Sequence, residues 1–389
     1  MISKKMEFFS TAVRVFTVAL VVLSSGIACG ETEELAVLKK IEEHFNHRDI
    51  DASSAYLDAQ EILESTKAKI TGSKNYWQNF ALGAKTTLES GQLFEQIFSQ
   101  LVGTDKPVKL VHYYRDNSAV RSIYRFDYGD NGYSYMEFII EGTGKDRRIV
   151  DWYDNATGQQ YTDQLARIYD SVAPSDGIVG RLADLTSDKD KIRYIIVEFY
   201  QRNQARDLEG IKSLYDNYHG YILQSWDLTV IFYGSASTYN DQEFYFKILS
   251  DIAKHFNSDR RAKFILLDYY FSKGSIRRAV DIMEELFERF GRNDAAMKFL
   301  QSTAHYTSGD YQKSADSAKL CIDLEPEFER CYWTLVSIAT ETKQYSKTVD
   351  YLNMLSDRFG HKFEKATFEA QPYYLEFANS QEFERWEIE

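Results

Sequence analysis

The stretch that decides the fold is Gly309-Asp310-Tyr311, with Gly274-Ser275-Ile276 before it and Gln344-Tyr345 after it. Tyr311 follows Ile276 by 35 residues, and Tyr345 follows Tyr311 by 34. A fixed period of this size predicts stacked helix pairs, each too small to bury its apolar face alone. Such stacks present a concave surface, so the period also indicates a protein–protein interaction role.

The repeated segments resemble the tetratricopeptide repeat, in which the second helix opens with Gly-x-Tyr-x-x-Ala and the unit closes near a proline. The best-matching unit carries Gly309, Tyr311, Ala318 and Pro326. The next unit departs from the pattern, with Lys343 where glycine is usual. The motif-bearing part is 259–360, inside an all-α helical region that we predict over 186–379. We expect five helix pairs, the first two atypical, and a closing helix before a short tail at 380–389.

The resemblance implies a groove lined by residues of the first helix of each pair. The side chains predicted to line it are Lys263, Tyr270, Lys298, His305 and Tyr332. Aromatic rings and cations there would hold an extended peptide or a partner helix. The alternative is that these are ordinary solvated positions. The sequence thus predicts a protein or peptide partner without identifying it.

The first half of the chain has a different pattern. Residues 31–106 are predicted to be helical, with a long amphipathic run from Trp77 to Leu101. Alternating apolar residues then predict four strands, joined by short turns such as Gly129–Gly132. The strands are Val108–Arg115, Val120–Tyr128, Tyr133–Glu141 and Arg148–Asp154. Short links imply an antiparallel meander, and hence an α+β domain over 31–170 followed by a linker at 171–185.

This order of elements resembles the cystatin/NTF2-like roll, in which helices lie in a curved sheet. The resemblance implies a second hypothesis, a small-molecule binder or acid/base enzyme with a pocket between helix and sheet. Glu137 and Asp151 on neighbouring strands could serve there beside Arg125. The competing expectation is a solvated sheet face with cross-strand ion pairs.

The first 30 residues are predicted to be a secretory signal peptide. Lys4, Lys5 and Arg14 precede the apolar run Val15–Leu23, which is too short to span a bilayer. Cleavage after Ala28 or after Gly30 would give a free amino terminus. Alternatively, Gly26-Ile27-Ala28-Cys29 resembles the bacterial lipoprotein box, which implies a lipid at Cys29. Either outcome predicts location in the periplasm or cell envelope, with membrane attachment only through that lipid.

Composition narrows the partner classes. Aromatic residues make up 15% of the 389 residues, which argues against long disordered stretches. The net charge of −13 disfavours nucleic acid and anionic lipid as non-specific partners. Cys321 and Cys331 flank a turn between two predicted helices. In an exported protein they would form a disulfide, or alternatively remain two buried thiols.

Three other short motifs occur in the first half of the chain. His44 and His47 share a helix end, but no further cluster completes a metal site, so no metal is expected. Gly142-Thr143-Gly144-Lys145 lacks the spacing of a phosphate loop and is predicted to be a hairpin. Asn155-Ala156-Thr157 is a glycosylation sequon, meaningful in a eukaryotic secretory pathway. No hydrolase, zinc-protease or dinucleotide motif occurs, so we expect no cofactor and favour a non-enzymatic role. An acid/base enzyme stays the alternative, since such a site needs no motif.

Overall fold

The computed structural model describes residues 33–70, 73–99, 101, 107–129, 132–173 and 188–386. The predicted signal peptide, Cys29, linker residues 174–185 and the last three residues lie outside these ranges. The chain divides into two compact units. The first holds Met1–Asp154 and Gln160–Ile178, and the second holds Asn155–Gln159 and Val179–Glu389.

The described part of the first unit contains helices on one antiparallel sheet, as the sequence predicted. The helices are α1 (33–46), α2 (Ile50–Ser54), α3 (Ala59–Lys69), α4 (Trp77–Glu89), α5 (Gln92–Ser99) and α6 (Tyr161–Val172). The long run predicted from Trp77 to Leu101 is two helices, because Gly91 has φ +78° between them. A Cβ at Gly91 would lie 2.3 Å from Ile50 Cγ2, so the break also lets α2 approach closely.

The sheet has five strands in chain order. They are β1 (Val108–Asp116), β2 (Ala119–Asp127), β3 (Tyr133–Glu141), β4 (Arg148–Asp154) and β5 (Gln159–Gln160). The four predicted strands are confirmed to within a residue or two at each end. The short β5 was not predicted, since two polar residues carry no strand pattern. Tyr124 of β2 lies opposite Met136 of β3, and Phe138 of β3 lies opposite Trp152 of β4. The pairing therefore places the rings of Tyr124, Phe138 and Trp152 on the same face of the sheet.

That face and the helices enclose an aromatic core centred on Phe45 of α1. Its ring lies 5.3–6.1 Å, centroid to centroid, from five other rings. These belong to Phe94, Phe98, Tyr124, Phe126 and Phe138. Side chains therefore fill the space between α5 and the sheet. A cleft of about 290 Å³ lies beside α4, and its lining includes Lys85, Leu88 and Glu89 of that helix and Arg148 of β4.

The opposite sheet face is buried, contrary to the expectation of a solvated one. Arg125, Glu137 and Asp151 are only 3–5% exposed. Glu137 accepts hydrogen bonds from Tyr114 Oη at 2.8 Å and Arg121 Nη1 at 3.0 Å. A cross-strand ion pair therefore exists at this face between the buried Glu137 and Arg121, whose side chain is 28% exposed.

The second unit is a run of helix pairs. Over 188–386 the pairs are α7 (Asp188–Gln204) with α8 (Leu208–Asn217), α10 (Trp226–Thr238) with α11 (Gln242–His255), α12 (Lys263–Ser272) with α13 (Ile276–Phe290), α14 (Ala295–Thr307) with α15 (Tyr311–Leu324), and α16 (Glu329–Glu341) with α17 (Tyr345–Phe359). A short α9 (His219–Ile222) lies between the first two pairs. The second helices begin at steps of 34, 34, 35 and 34 residues, so the period extends through all five pairs.

The same three-residue turn joins the helices of every pair. Its middle residue has φ between +53° and +77°. These residues are Arg206, Asn240, Gly274, Gly309 and Lys343. In each turn the next residue donates its N–H to the carbonyl oxygen five residues earlier, at 2.8–3.2 Å, as in a Schellman motif. Asp207, Asp241 and Asp310 then cap the second helix with their carboxylates.

The end of the repeat region is closed by short helices. They are α18 (Lys365–Glu369), α19 (Leu375–Ala378) and α20 (Gln381–Arg385). Phe368, Phe377, Phe383 and Trp386 pack on Leu352 and Leu355 of α17. Three short helices thus replace the single closing helix that was predicted. None of the helices in the described ranges is both long and apolar enough to cross a membrane.

Candidate functional site

In each of the last three pairs, the first helix carries an aromatic residue at the same position relative to the turn. Phe264, Phe299 and Trp333 each lie ten residues before the positive-φ residue of their turn. Equivalent positions in a stack lie side by side, because each pair repeats its neighbour's geometry. The first helices therefore carry a row of rings along the repeat axis.

A cleft of about 310 Å³ opens on this row between α14 and α16. It is lined by Phe299, Thr303, Tyr306, Arg330, Trp333, Thr334 and Ser337. The hydroxyl groups of Thr303 and Thr334 donate to carbonyl oxygens of their own helices, at 3.0 Å each. The rings and methyl groups consequently dominate the accessible surface, with one cation, Arg330, at the edge.

Trp333 is held by its neighbours. Its Nε1 donates to Glu329 Oε1 at 2.8 Å, and the same oxygen lies 2.7 Å from His361 Nε2. The rings of His361 and Phe363 meet the indole edge-on, at 5.5 and 6.0 Å. Because these contacts fix the indole, little side-chain entropy remains to be lost when a ligand packs on it.

Tyr373, which lies between the short helices α18 and α19, reaches the edge of the same cleft. The Tyr373 hydroxyl lies 3.3 Å from that of Tyr306 on α14 and donates to the carbonyl oxygen of Ser337 on α16 at 3.1 Å. Burial and the hydrogen bond with Tyr373 raise the pKa of Tyr306, so this phenol stays protonated at neutral pH. Tyr373 therefore ties the two first helices together at the edge of the cleft.

None of the five predicted groove residues lines this cleft. Lys263 forms an ion pair with Glu285 at 3.0 Å, and Tyr270 donates to Asn257 Oδ1 at 3.2 Å. Lys298 lies over the Phe287 ring at 4.1 Å, where partial burial lowers its pKa. Each of these contacts is made with a side chain outside the lining.

The other two predicted residues are also placed elsewhere. His305 is partly buried, which lowers the pKa of its imidazole. Tyr332 is 3% exposed, and the centroid of its ring lies 5.4 Å from that of the Phe359 ring. Lys298, His305 and Tyr332 immediately precede Phe299, Tyr306 and Trp333. One residue is about 100° of rotation on an α-helix, so these three residues lie on a neighbouring face of the helices whose side chains line the cleft.

Both carboxylates suggested for a pocket in the first unit, Glu137 and Asp151, are hydrogen-bonded in the structure. Asp151 accepts hydrogen bonds from Thr162 N and Oγ1 and from Gln160 Nε2, and so caps the start of α6. Burial raises its pKa despite these bonds. Neither Asp151 nor Glu137 lines the cleft described above, and both carboxylates have hydrogen-bond donors. This differs from the unpaired buried base that the enzyme hypothesis requires.

The remaining motifs have structural explanations. The predicted hairpin at Gly142–Lys145 links β3 to β4, and a Cβ at Gly142 (φ +93°) would lie 2.6 Å from the carbonyl oxygen of Asp146. Asn155 of the sequon is 2% exposed, so the folded chain does not present it to a glycosyltransferase. Among the described residues, no three or more His, Cys, Asp and Glu side chains are grouped to hold a metal ion.

Cys321 of α15 and Cys331 of α16 form a disulfide with a Cα–Cα distance of 6.4 Å. The bond links the second helix of one pair to the first helix of the next. Both residues are fully buried. The disulfide therefore joins the two pairs whose first helices form the cleft.

Comparison with known proteins gives no assignment. No protein-family model matches the chain, and no curated protein matches it significantly.

Proposed function

We propose that this protein is an exported, non-enzymatic adaptor whose helix pairs bind an extended segment of another protein. The binding site is the cleft between α14 and α16. The observation that carries the proposal is the pair of equivalent rings, Phe299 and Trp333, at a cleft whose threonine hydroxyls are already satisfied. Aromatic anchors in a preformed groove are characteristic of protein-recognition surfaces.

We further propose that the helix pairs are tetratricopeptide-type repeats. The 34–35-residue period supports this, as does the residue pattern around Gly309, Tyr311, Ala318 and Pro326. The assignment implies that the groove faces of successive first helices act together. A partner segment would then contact more than one pair.

The first unit would accompany the peptide-binding repeats as an α+β domain. Its element order resembles that of the cystatin/NTF2-like roll. Its aromatic core fills the space between α5 and the sheet, where the resemblance would place part of a ligand pocket. We therefore favour a structural or positioning role for it over catalysis.

The positively charged start, the short apolar run and the small residues before Glu31 support export to the periplasm or cell envelope. Lipidation at Cys29 would tether the protein to a membrane. Mass analysis of the mature amino terminus checks this. A diacylglycerol-modified Cys29 supports the tether, and an unmodified terminus after Ala28 or Gly30 contradicts it.

A photo-crosslinking amino acid at Thr303, in protein expressed in its native envelope, tests the adaptor function. We expect one partner to be captured, and expect capture to be lost when Ser337→Arg fills the cleft. Leu320, 50% exposed on α15, is the matched control, and a crosslinker there or Leu320→Arg should leave the result unchanged. Capture that survives Ser337→Arg, or is equal from Leu320, would contradict the proposal.

A further inference from the structure

An accessible carboxylate, Asp268 of α12, occupies a position in the stack that lines the cleft in later pairs. It lies six residues before the positive-φ residue of its turn, as do Thr303 and Ser337, which line the cleft between α14 and α16. Equivalent positions of successive first helices lie side by side. The first two pairs carry Tyr200 and Gly234 there, so Asp268 is the charged member of this row.

The neighbouring position in the row has no side chain. Gly234 lies inside α10, and a Cβ placed on it would meet no other part of the described chain within 4 Å. A glycine in a helix interior lowers stability relative to alanine, and here no close neighbour requires it. The glycine therefore leaves open space in the row next to Asp268.

Two phenols hold the Asp268 carboxylate in place. Tyr245 Oη of α11 donates to Asp268 Oδ2 at 3.0 Å, and Tyr233 Oη of α10 lies 3.3 Å from Tyr245 Oη. A phenol has one proton, so the first bond makes Tyr233 the donor of the second. Among the residues that the structure describes, no cationic side chain lies within ion-pair distance of this carboxylate. The carboxylate is therefore oriented, but its charge is not paired.

The carboxylate is accessible and yet closely surrounded. Asp268 is an exposed residue, but the protein around it removes hydration from its carboxyl group and so raises the pKa of that group. Both observations fit a side chain on a concave surface, which meets solvent on one side alone. A cation that entered would favour the charged carboxylate and offset the lost hydration. Phe264 and Phe271 lie one helical turn to either side, where aromatic rings can attract a cation.

We propose that the open space at Gly234 and the Asp268 carboxylate form a subsite for a lysine or arginine side chain of the bound protein segment. The inference rests on the proposed adaptor function, because it assigns a second contact to the segment that occupies the α14–α16 cleft. Acidic residues of the chain outnumber basic ones by 59 to 46, which attracts a cationic segment.

The geometry of the stack sets the spacing in the partner. Packed helices lie about 8–10 Å apart, and an extended chain rises about 3.3 Å per residue. The subsite is two first helices away from the cleft. The partner segment should therefore carry its basic residue about five or six positions from its apolar anchor.

Fluorine NMR of the full mature chain tests the subsite, with 4-fluorophenylalanine introduced at Phe271 as the reporter. The probes are acetyl-lysine methylamide and acetyl-norleucine methylamide, which keeps the aliphatic stem without the ammonium group. At constant ionic strength, we expect a saturable shift with the lysine probe and at least about fivefold weaker binding of the norleucine probe. Equal binding of both probes, or no response to either, would overturn the subsite.

Two variants separate the charge from the open space. Asp268→Asn removes the charge and keeps an acceptor for Tyr245, whereas Gly234→Leu fills the space with a residue that favours a helix. Each should weaken binding of the lysine probe at least about fivefold. The matched controls are Asp281→Asn, at an exposed carboxylate of α13, and Gly83→Leu, at an open glycine inside α4, and both should bind within about twofold of the parent. Circular dichroism verifies that each variant is folded. Full binding by Asp268→Asn or by Gly234→Leu would overturn the proposal.

The titrations and the Thr303 crosslink can fail separately. A chain that captures a partner at Thr303 but does not distinguish the two probes contradicts the subsite alone. A chain that binds the lysine probe selectively but captures nothing at Thr303 contradicts the adaptor function, and the cation site on α12 stands without it.

Discussion

The turns of the second unit use one backbone conformation with different residues. Gly274 and Gly309 occupy it without cost, whereas Arg206, Asn240 and Lys343 hold a side chain at positive φ. A non-glycine residue in this conformation costs about 1–2 kcal/mol. The three turns without glycine therefore lower the stability of the fold that they build.

Lys343→Gly should raise the free energy of unfolding by about 0.5–1 kcal/mol, since relief of strain exceeds the entropy that glycine adds to the unfolded chain. Gly309→Ala should lower it by about 1 kcal/mol. A Cβ at Gly309 meets no atom within 4 Å, so the cost there is purely conformational. The Lys343→Gly variant also loses an exposed ion pair with Glu376, but such a pair contributes little to stability. Urea denaturation of both variants measures these changes. If both substitutions raised, or both lowered, the free energy of unfolding, the shared turn conformation would be contradicted.

Asp151 provides a pH-dependent test of the buried network. Burial raises its pKa in the folded state above the ordinary value of 3.8. Such a group contributes stability below that value, and the contribution is lost as pH rises through the folded-state pKa. The wild type should therefore lose stability relative to Asp151→Asn as pH increases from about 4. Denaturation at several pH values measures the difference. If the difference in unfolding free energy between wild type and Asp151→Asn did not change with pH, the effect of burial on Asp151 would be contradicted. Asp163→Asn, which removes a more exposed carboxylate paired with Lys69, is the control.

At the residue scale, the sequence does not determine which face of a helix lines a cleft. Lys298, His305 and Tyr332 were placed one residue away from the side chains that line the cleft. The apolar pattern of a single helix shows which residues share a face but not how that face is oriented toward its neighbours. Burial of Glu137 and Asp151 was likewise not predicted, since strand alternation shows which residues share a face but not what covers it.

Among the elements, the disulfide between α15 and α16 makes the clearest prediction. Closing a loop with a sequence separation of 10 should stabilise the fold by about 2–3 kcal/mol in the chain-entropy account. Replacing both Cys321 and Cys331 by alanine should lower the free energy of unfolding by that amount. Thiol labelling of the unfolded wild type without reductant is the companion measurement. Reaction of both cysteines there, or unchanged stability of the variant, would contradict the bond.

The elements that follow from local patterns were predicted well. Strong alternation gave β1 to β4, and Gly129 and Gly142 gave the hairpins. The first two helix pairs were expected to be atypical, and in the structure their turns contain no glycine. Arg206-Asp207 and Asn240-Asp241 occupy the places of Gly309-Asp310, a signal that was present in the sequence. Gly91 was missed because a glycine inside an amphipathic pattern is compatible with a continuous helix.

For the whole molecule, the account depends on translational regularity in the second unit. Each pair is stabilised by its neighbours, so the stability of the stack is approximately a sum of pair and interface terms. Removing one complete period should then leave a shorter stack. Removing half a period should expose the apolar faces of the helices on either side.

The most direct test is therefore deletion of residues 276–310, which joins Ser275 to Tyr311 and removes 35 residues, one full period. The account predicts that this chain keeps its helical signal per residue in circular dichroism and unfolds cooperatively in urea. Deletion of residues 276–293, which removes α13 alone, should abolish cooperative unfolding of the second unit. Loss of the fold in both deletions to the same degree would contradict a stack of equivalent pairs.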